Sequence, residues 1–162
     1  MSKFQEIANW LSRCPQLATL WNISAEPVNG ANVILPFSTS QRRNIEDYID
    51  VTGAYNADIN PIPSVYEEYQ INCYREFAEN QNDLNALSVD DVQAVCDWII
   101  AQDEEGNLPK LTGKTVIAAE PFPFVPQIRG ADPESKLIVY YITIRITYIN
   151  TSQRRSIQHY EE

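Results

Sequence analysis

What the chain has little of narrows its function first. It contains a single histidine, His159, which stands in a polar tail. A Ser-His-Asp or Cys-His catalytic set, or a histidine-carboxylate metal site, therefore has no internal histidine to be built on. Cations are scarce as well, with 12 Lys and Arg against 22 Asp and Glu and a net charge of −10. Nucleic-acid backbones are held by Lys and Arg that displace counterions, so this balance argues against a nucleic-acid binder. It would suit a surface that DNA passes without sticking. No apolar run reaches the roughly 18 residues that span a bilayer, because Lys136 and Arg145 bracket or interrupt the best candidate. The opening Met1-Ser-Lys-Phe-Gln-Glu-Ile has no signal-peptide core, and Glu6 and Asn9 fall inside its apolar pattern. A soluble protein made in a cytosol, with no membrane partner, is expected. Cys14, Cys73 and Cys96 are odd in number, far apart and set among apolar residues, which predicts buried free thiols rather than a disulfide or metal framework.

What is present is a sheet. Residues Ser135 to Ile149 form the longest β-branched and aromatic run of the chain. At period two, Ile138, Tyr140, Ile142, Ile144, Ile146 and Tyr148 share one side, and Val139, Tyr141, Thr143, Arg145, Thr147 and Ile149 the other. The first side is expected to pack under helices carrying Leu11 and Trp98. The second, marked by Thr143, Arg145 and Thr147, is expected to meet water or a neighbouring subunit. A second alternating run, Val65 to Phe77, puts Tyr69, Ile71, Cys73 and Phe77 on an inner face. Shorter strands are predicted from near Thr19, over Ile45 to Thr52 and over Thr115 to Glu120, while Ser38 to Arg43 reads as polar and Ala54 to Ser64 as a loop.

Two helices are predicted. Ser2 caps a first one bearing Phe4, Ile7, Ala8 and Leu11, which Pro15 ends. Ser88 and Asp91 stand at capping-box spacing before Val89, Val92, Val95, Cys96, Ile99 and Ile100, with Gly106 closing the second. Pro121, Pro123 and Pro126 impose extended chain, and Arg129 to Pro133 is expected to turn it back. The order predicts an α+β fold, a mixed and largely antiparallel sheet of about five strands with two main helices on one face. Residues 1–150 form one domain and 151–162 a polar tail.

Candidate chemistry is thin. Gly113-Lys114-Thr115 imitates the end of a phosphate-binding loop, but Leu108 stands where a glycine is required and the helix precedes the strand instead of following it. Asp103, Glu104 and Glu105 could serve a metal-assisted hydrolase, although an exposed acidic helix end is the plainer account. Tyr66, Tyr74, Phe122 and Phe124 could line a small-ligand pocket. Trp10, Trp21 and Trp98 could form a ligand platform, but core-edge packing is the ordinary role of tryptophans on helices. The segment Thr39-Ser-Gln-Arg-Arg43 recurs as Thr151-Ser-Gln-Arg-Arg155, with Ile45 and Tyr48 echoed by Ile157 and Tyr160. Paired arginines on an acidic protein are docking points for a neighbour's carboxylates.

Three stretches carry a resemblance. They are Ile7-Ala-Asn-Trp-Leu-Ser-Arg-Cys-Pro15, Val92 to Pro109 with its Trp-Ile pair and Gly-Asn-Leu-Pro exit, and the strand Leu137 to Ile149. In that order the chain resembles the minor capsid or tail terminator proteins of long-tailed phages and prophages of Gram-positive bacteria, which are similar to lambda-type tail terminators. It departs from the family's pattern between Ser38 and Ser64, where the loop is longer, and in the polar tail after Thr151. The resemblance implies a structural virion protein and no enzyme, cofactor or metal. The expected assembly is a hexameric ring that caps the tail tube, meets the tube protein and a head-completion protein, and lets DNA through without specific binding. Another neck protein of the head-tail connector is the alternative. The expected place is the virion tail or neck, and the host cytoplasm during assembly. Subunit contacts are expected at Arg42, Arg43, Arg145, Arg154 and Arg155, and in the loop with Tyr55 and Asp58.

Overall fold

A computed structural model describes residues 2–17, 20–22, 29–35, 40–48, 63–77, 82–132, 134 and 136–150. The expected polar tail, 151–162, lies outside them. The first helix, α1 (Lys3–Leu11), starts where Ser2 and Gln5 close a reciprocal capping box, the Gln5 N–H donating to Ser2 Oγ and the Ser2 N–H to Gln5 Oε1. Its apolar stripe buries Ile7, Trp10 and Leu11. A short 3-10 turn, Pro15–Leu17, follows.

Two 14-residue strands, β4 (Pro63–Glu76) and β7 (Leu137–Asn150), make the centre of the sheet. They pair antiparallel in unbroken register from Val65 opposite Tyr148 to Glu76 opposite Leu137. Each carries shorter strands end to end on its outer side. On β4 these are β3 (Ser40–Tyr48), opposite its first half, and β2 (Asn32–Ile34), opposite its second. On β7 they are β5 (Lys114–Pro121) and β6 (Gln127–Asp132). A parallel strand, β1 (Leu20–Asn22), edges β2. The main path β1-β2-β4-β7-β5 has the expected five strands, and β3 and β6 bring the sheet to seven among the described residues.

One face of this sheet is the core. Tyr69, Ile71 and Cys73 of β4 lie opposite Ile144, Ile142 and Tyr140 of β7, all buried, as the alternation predicts. The second long helix, α2 (Asn82–Glu105), and α1 cover that face with Val92, Val95, Cys96 and Ile99 and with Ile7 and Leu11. Trp10 and Trp98 join the two helices at 5.2 Å between ring centroids, and Trp10 Nε1 donates to the Asn107 carbonyl. They pack in the core edge and form no open platform. Phe77, expected on the inner face, lies just past the end of β4 and is half-buried.

The inner face also holds two charges. Glu67, 3% exposed, accepts from Lys3 Nζ and from the Tyr69 hydroxyl. Arg75, 6% exposed, donates through Nε to Asp91 at 2.7 Å and through NH1 to Asn32 Oδ1 and the Tyr74 carbonyl. Buried charges are tolerated only when so paired. The two sites fasten α1 and α2 to β4.

Several expectations need correction. The second helix begins at Asn82, six residues before Ser88. Ser88 and Asp91 do not form its capping box, because Ser88 Oγ donates to the Glu76 carbonyl and Asp91 is taken by Arg75. Arg129 to Asp132 belongs to a strand: β6 pairs with β7 across an irregularity between Ile128 and Gly130, so the reversal comes after Asp132. Ser40 to Arg43 is also strand, its polar residues paired with β4. On the second face of β7, expected to meet water or a neighbour, Ile149 is fully buried.

No helix among the described residues is long and apolar enough to cross a membrane. Cys14, Cys73 and Cys96 are buried and free, as expected. Burial pushes the thiols of Cys73 and Cys96 from an ordinary 9.0 up to about 12, and raises Cys14 as well. Above pH 9 an unfolded chain therefore releases thiol protons that the native protein still holds. The thiol contribution to stability is full below about 9 and is lost as pH rises toward 12. Ellman titration at pH 8 is expected to find three slow thiols in the native protein and three fast ones in guanidinium, and urea midpoints should fall between pH 9 and 11. Ile144→Asp places an unpaired charge opposite Tyr69 in the core, a cost of several kcal/mol against a total of about 5 to 15 kcal/mol. Circular dichroism should show it unfolded at 25 °C.

Candidate interaction face

Away from the helices, register sets residues of four strands in rows. Arg145 of β7 lies between Glu68 of β4 and Glu120 of β5. Its NH2 donates to Glu68 Oε1 at 2.9 Å. The guanidinium carbon sits 3.7 Å from the centroid of Phe122 and 4.3 Å from that of Tyr66, so the cation is held between two aromatic rings. Its Nε is buried with no hydrogen-bond partner among the described residues. With 23% of its side chain exposed, Arg145 is on the outer face as expected, but it is committed to its own sheet instead of standing free for a neighbour.

This clamp bears on the ligand-pocket idea. Tyr66 and Phe122, expected to line a pocket, hold Arg145 between them, and Phe124 is exposed. The face is otherwise polar and aromatic, with Gln70, Tyr74, Tyr141 and Thr143 half-buried. Asn72 and Val33 are closed off to 4% and 5% exposure.

The remaining expected contacts divide. Arg42 and Arg43 lie in β3, where register sets position 42 opposite Tyr66 and position 43 opposite Val65. Tyr55, Asp58, Arg154, Arg155 and His159 lie outside the described residues, as does the rest of the second Thr-Ser-Gln-Arg-Arg segment.

The acidic run at the end of α2 is partly used for structure. The Ala119 N–H donates to Asp103 Oδ1 at 2.9 Å, tying the helix to β5. Among the described residues no three His, Cys, Asp or Glu side chains converge as a metal would require. Lys114 of the incomplete phosphate-loop motif opens β5 and lies over the Tyr148 ring.

One feature escaped the sequence-based expectation of contacts. Between β5 and β6 the chain exposes Phe122, Phe124 and Val125, and Ile128 follows in β6 at 67% exposure. The signal is the alternation of prolines with large apolar residues in Phe122-Pro-Phe-Val-Pro126. Prolines keep such a segment from pairing as a regular strand, so its apolar side chains have no sheet to bury them. The exposed Phe122, Phe124 and Val125 are candidates for contact with another surface.

Removing the clamp should cost stability. A charge-assisted hydrogen bond and a partly buried cation–π contact together contribute on the order of 2 to 3 kcal/mol. Urea denaturation of Arg145→Ala should show that loss, with Arg145→Glu lower still because it sets a carboxylate between Glu68 and Glu120. The double variant Arg145→Glu, Glu68→Arg should recover part of it. Equal stability of Arg145→Glu and the native chain would mean that the clamp does not form.

Comparison with protein-family models and with curated proteins returns no match for this chain.

Proposed function

We propose that this chain is a structural subunit of a phage or prophage virion, a tail terminator that joins others in a ring capping the tail tube at the head-tail junction. The observation that carries this is how the three stretches of resemblance pack. Ile7 to Pro15, Val92 to Pro109 and Leu137 to Ile149 meet in one unit, through Trp10 against Trp98, Trp10 Nε1 on the Asn107 carbonyl, and the apolar row of β7 beneath both helices.

Two further features fit. The exposed apolar segment after β5 is suited to protein contact. The negative charge of the chain fits a passage for DNA that must not bind it. In this reading the subunit does no chemistry. Its work is geometric, presenting one surface to the tail tube and another to a head-completion protein, and it acts in the virion after assembly in the host cytoplasm.

Electron microscopy of the purified protein, alone and mixed with tail tubes, tests the proposal. Closed rings, hexameric in the family's pattern, are expected on tube ends, with tube length fixed when the protein is present. A protein that stays monomeric at high concentration and leaves tube ends bare would overturn it.

A further inference from the structure

The chain carries one ten-residue sequence twice, as Thr39 to Tyr48 and as Thr151 to Tyr160. Seven of the ten positions are identical; Asn44, Glu46 and Asp47 of the first copy are Ser156, Gln158 and His159 in the second. The first copy supplies β3, which pairs antiparallel with β4, Ser40 opposite Glu68, Arg42 opposite Tyr66 and Asn44 opposite Ser64. The second copy follows β7 directly and lies outside the described residues.

We infer that Thr151 to Tyr160 of one chain takes the place of β3 on β4 of a second chain, with residue 152 opposite Glu68 and residue 156 opposite Ser64. A sheet edge recognises a strand by backbone pairing and by alternate side chains. Both copies bring the same Ser-Gln-Arg-Arg to the positions opposite Glu68, Glu67, Tyr66 and Val65, so an edge that accepts one accepts the other. Exchanging like elements between chains keeps the contacts made and is a low-cost route to association.

Reach assigns the acceptor to another chain. β3 and β7 flank β4 and run the same way, both antiparallel to it, and Arg145 is the β7 residue opposite Glu68. The second copy leaves β7 at Asn150. To set residue 152 beside its own Glu68, the chain would have to return from the level of position 150 to that of 145, about 17 Å, and cross two strand spacings, about 10 Å. The two residues available span at most about 7 Å. A second chain has no such limit.

Two further observations favour exchange. β3 keeps regular register only over Ser40 to Asn44, before a shift ahead of Tyr48, whereas β4 and β7 pair without a break. So short a pairing opens at low cost. The second copy also suits an acceptor of net charge −10 better than the first, because Glu46 and Asp47 offset Arg42 and Arg43, while no carboxylate within the repeat offsets Arg154 and Arg155. Residues 49–62 tether β3 to its own β4, at an effective concentration on the order of millimolar. Exchange is therefore expected at protein concentrations of that order, or where chains are held side by side. It does not depend on the ring reading.

Disulfide mapping of the register tests it, in a chain whose native thiols are buried. Ser64→Cys and Ser156→Cys proteins, mixed at about 1 mM and mildly oxidised, should form the 64–156 cross-link between chains. Its yield should exceed at least tenfold that of 64–153 from Ser64→Cys mixed with Gln153→Cys, because position 153 registers with Glu67. Equal yields, or no cross-link, would overturn the exchange. A labelled peptide of residues 151–160 supplies a second readout. It should bind the native chain, and bind at least tenfold more weakly to the Asn44→Cys, Ser64→Cys chain once a disulfide pins β3 to β4. Undiminished binding to the pinned chain, or equal binding of a scrambled peptide of the same composition, would leave charge attraction alone and sink the idea. Removing residues 151–162 should leave the thermal midpoint of dilute protein unchanged; a clear fall would mean that the segment packs on its own chain. Rings on tube ends without the cross-link would end this inference and keep the proposed function, and the cross-link in a protein that ignores tail tubes would do the reverse.

Discussion

The long β4–β7 pair governs the rest of the structure. Twelve residue pairs run from Val65–Tyr148 to Glu76–Leu137 without a shift. The four strands β2, β3, β5 and β6 all attach to this pair, two on each side, and none of them spans its length. Because the side-chain period of a strand is two, this single register decides which face every neighbouring strand offers to the helices. Slipping it by one residue would send Ile142, Ile144 and Ile146 outward and bring Thr143 and Arg145 into the core.

Charges on the inner face of β4 guard against that slip. Glu67 and Arg75 are both buried, and each finds its partner on a different helix, Lys3 at the start of α1 and Asp91 in α2. A one-residue shift of β4 would turn both charges outward, break both ion pairs and bring Glu68 and Gln70 into the core without those partners, a larger penalty than losing a few apolar contacts. Exposed ion pairs contribute little to stability. These two contribute chiefly by making wrong arrangements costly, and they tie helix placement to strand register. Asp103 on the Ala119 N–H and Glu6 on Thr112 do the same at the other end of α2 and at the turn before β5.

Much of this was legible in the sequence, for identifiable reasons. The two long strands announced themselves because one face is almost wholly apolar over many residues, and α1 because Ser2 and its apolar stripe agree. The start of α2 was hidden because Ser88 and Asp91 imitate a cap while serving as tertiary anchors. The strand β6 was hidden because Arg129-Gly130 is turn-like in composition, whereas an irregularity at Ile128 to Gly130 lets it pair with β7. For the interaction face, alternation placed Arg145 on the correct side. It could not show that Glu68, distant in sequence, would neutralise it, or that Phe122 and Tyr66 would close over it. Those neighbours exist only through register. The exposed Phe122 to Val125 segment was visible as composition, but its exposure follows from prolines that deny it a sheet partner.

The position of β7 in the chain has a kinetic consequence. It follows every other described element, yet it lies in the interior of the sheet, between β4 and the pair β5 and β6. Contacts so far apart in sequence form slowly, because a long loop must close before they return any energy. During synthesis β2 and β3 can pair with β4, but β5 and β6 have no partner, and the two halves of the sheet are not joined, until residues 137–150 emerge from the ribosome. The chain therefore completes its sheet in one late step, and the apolar row of β4 stays unburied until then. The order of the elements thus leaves the surfaces that depend on the sheet unfinished until its central strand has been made.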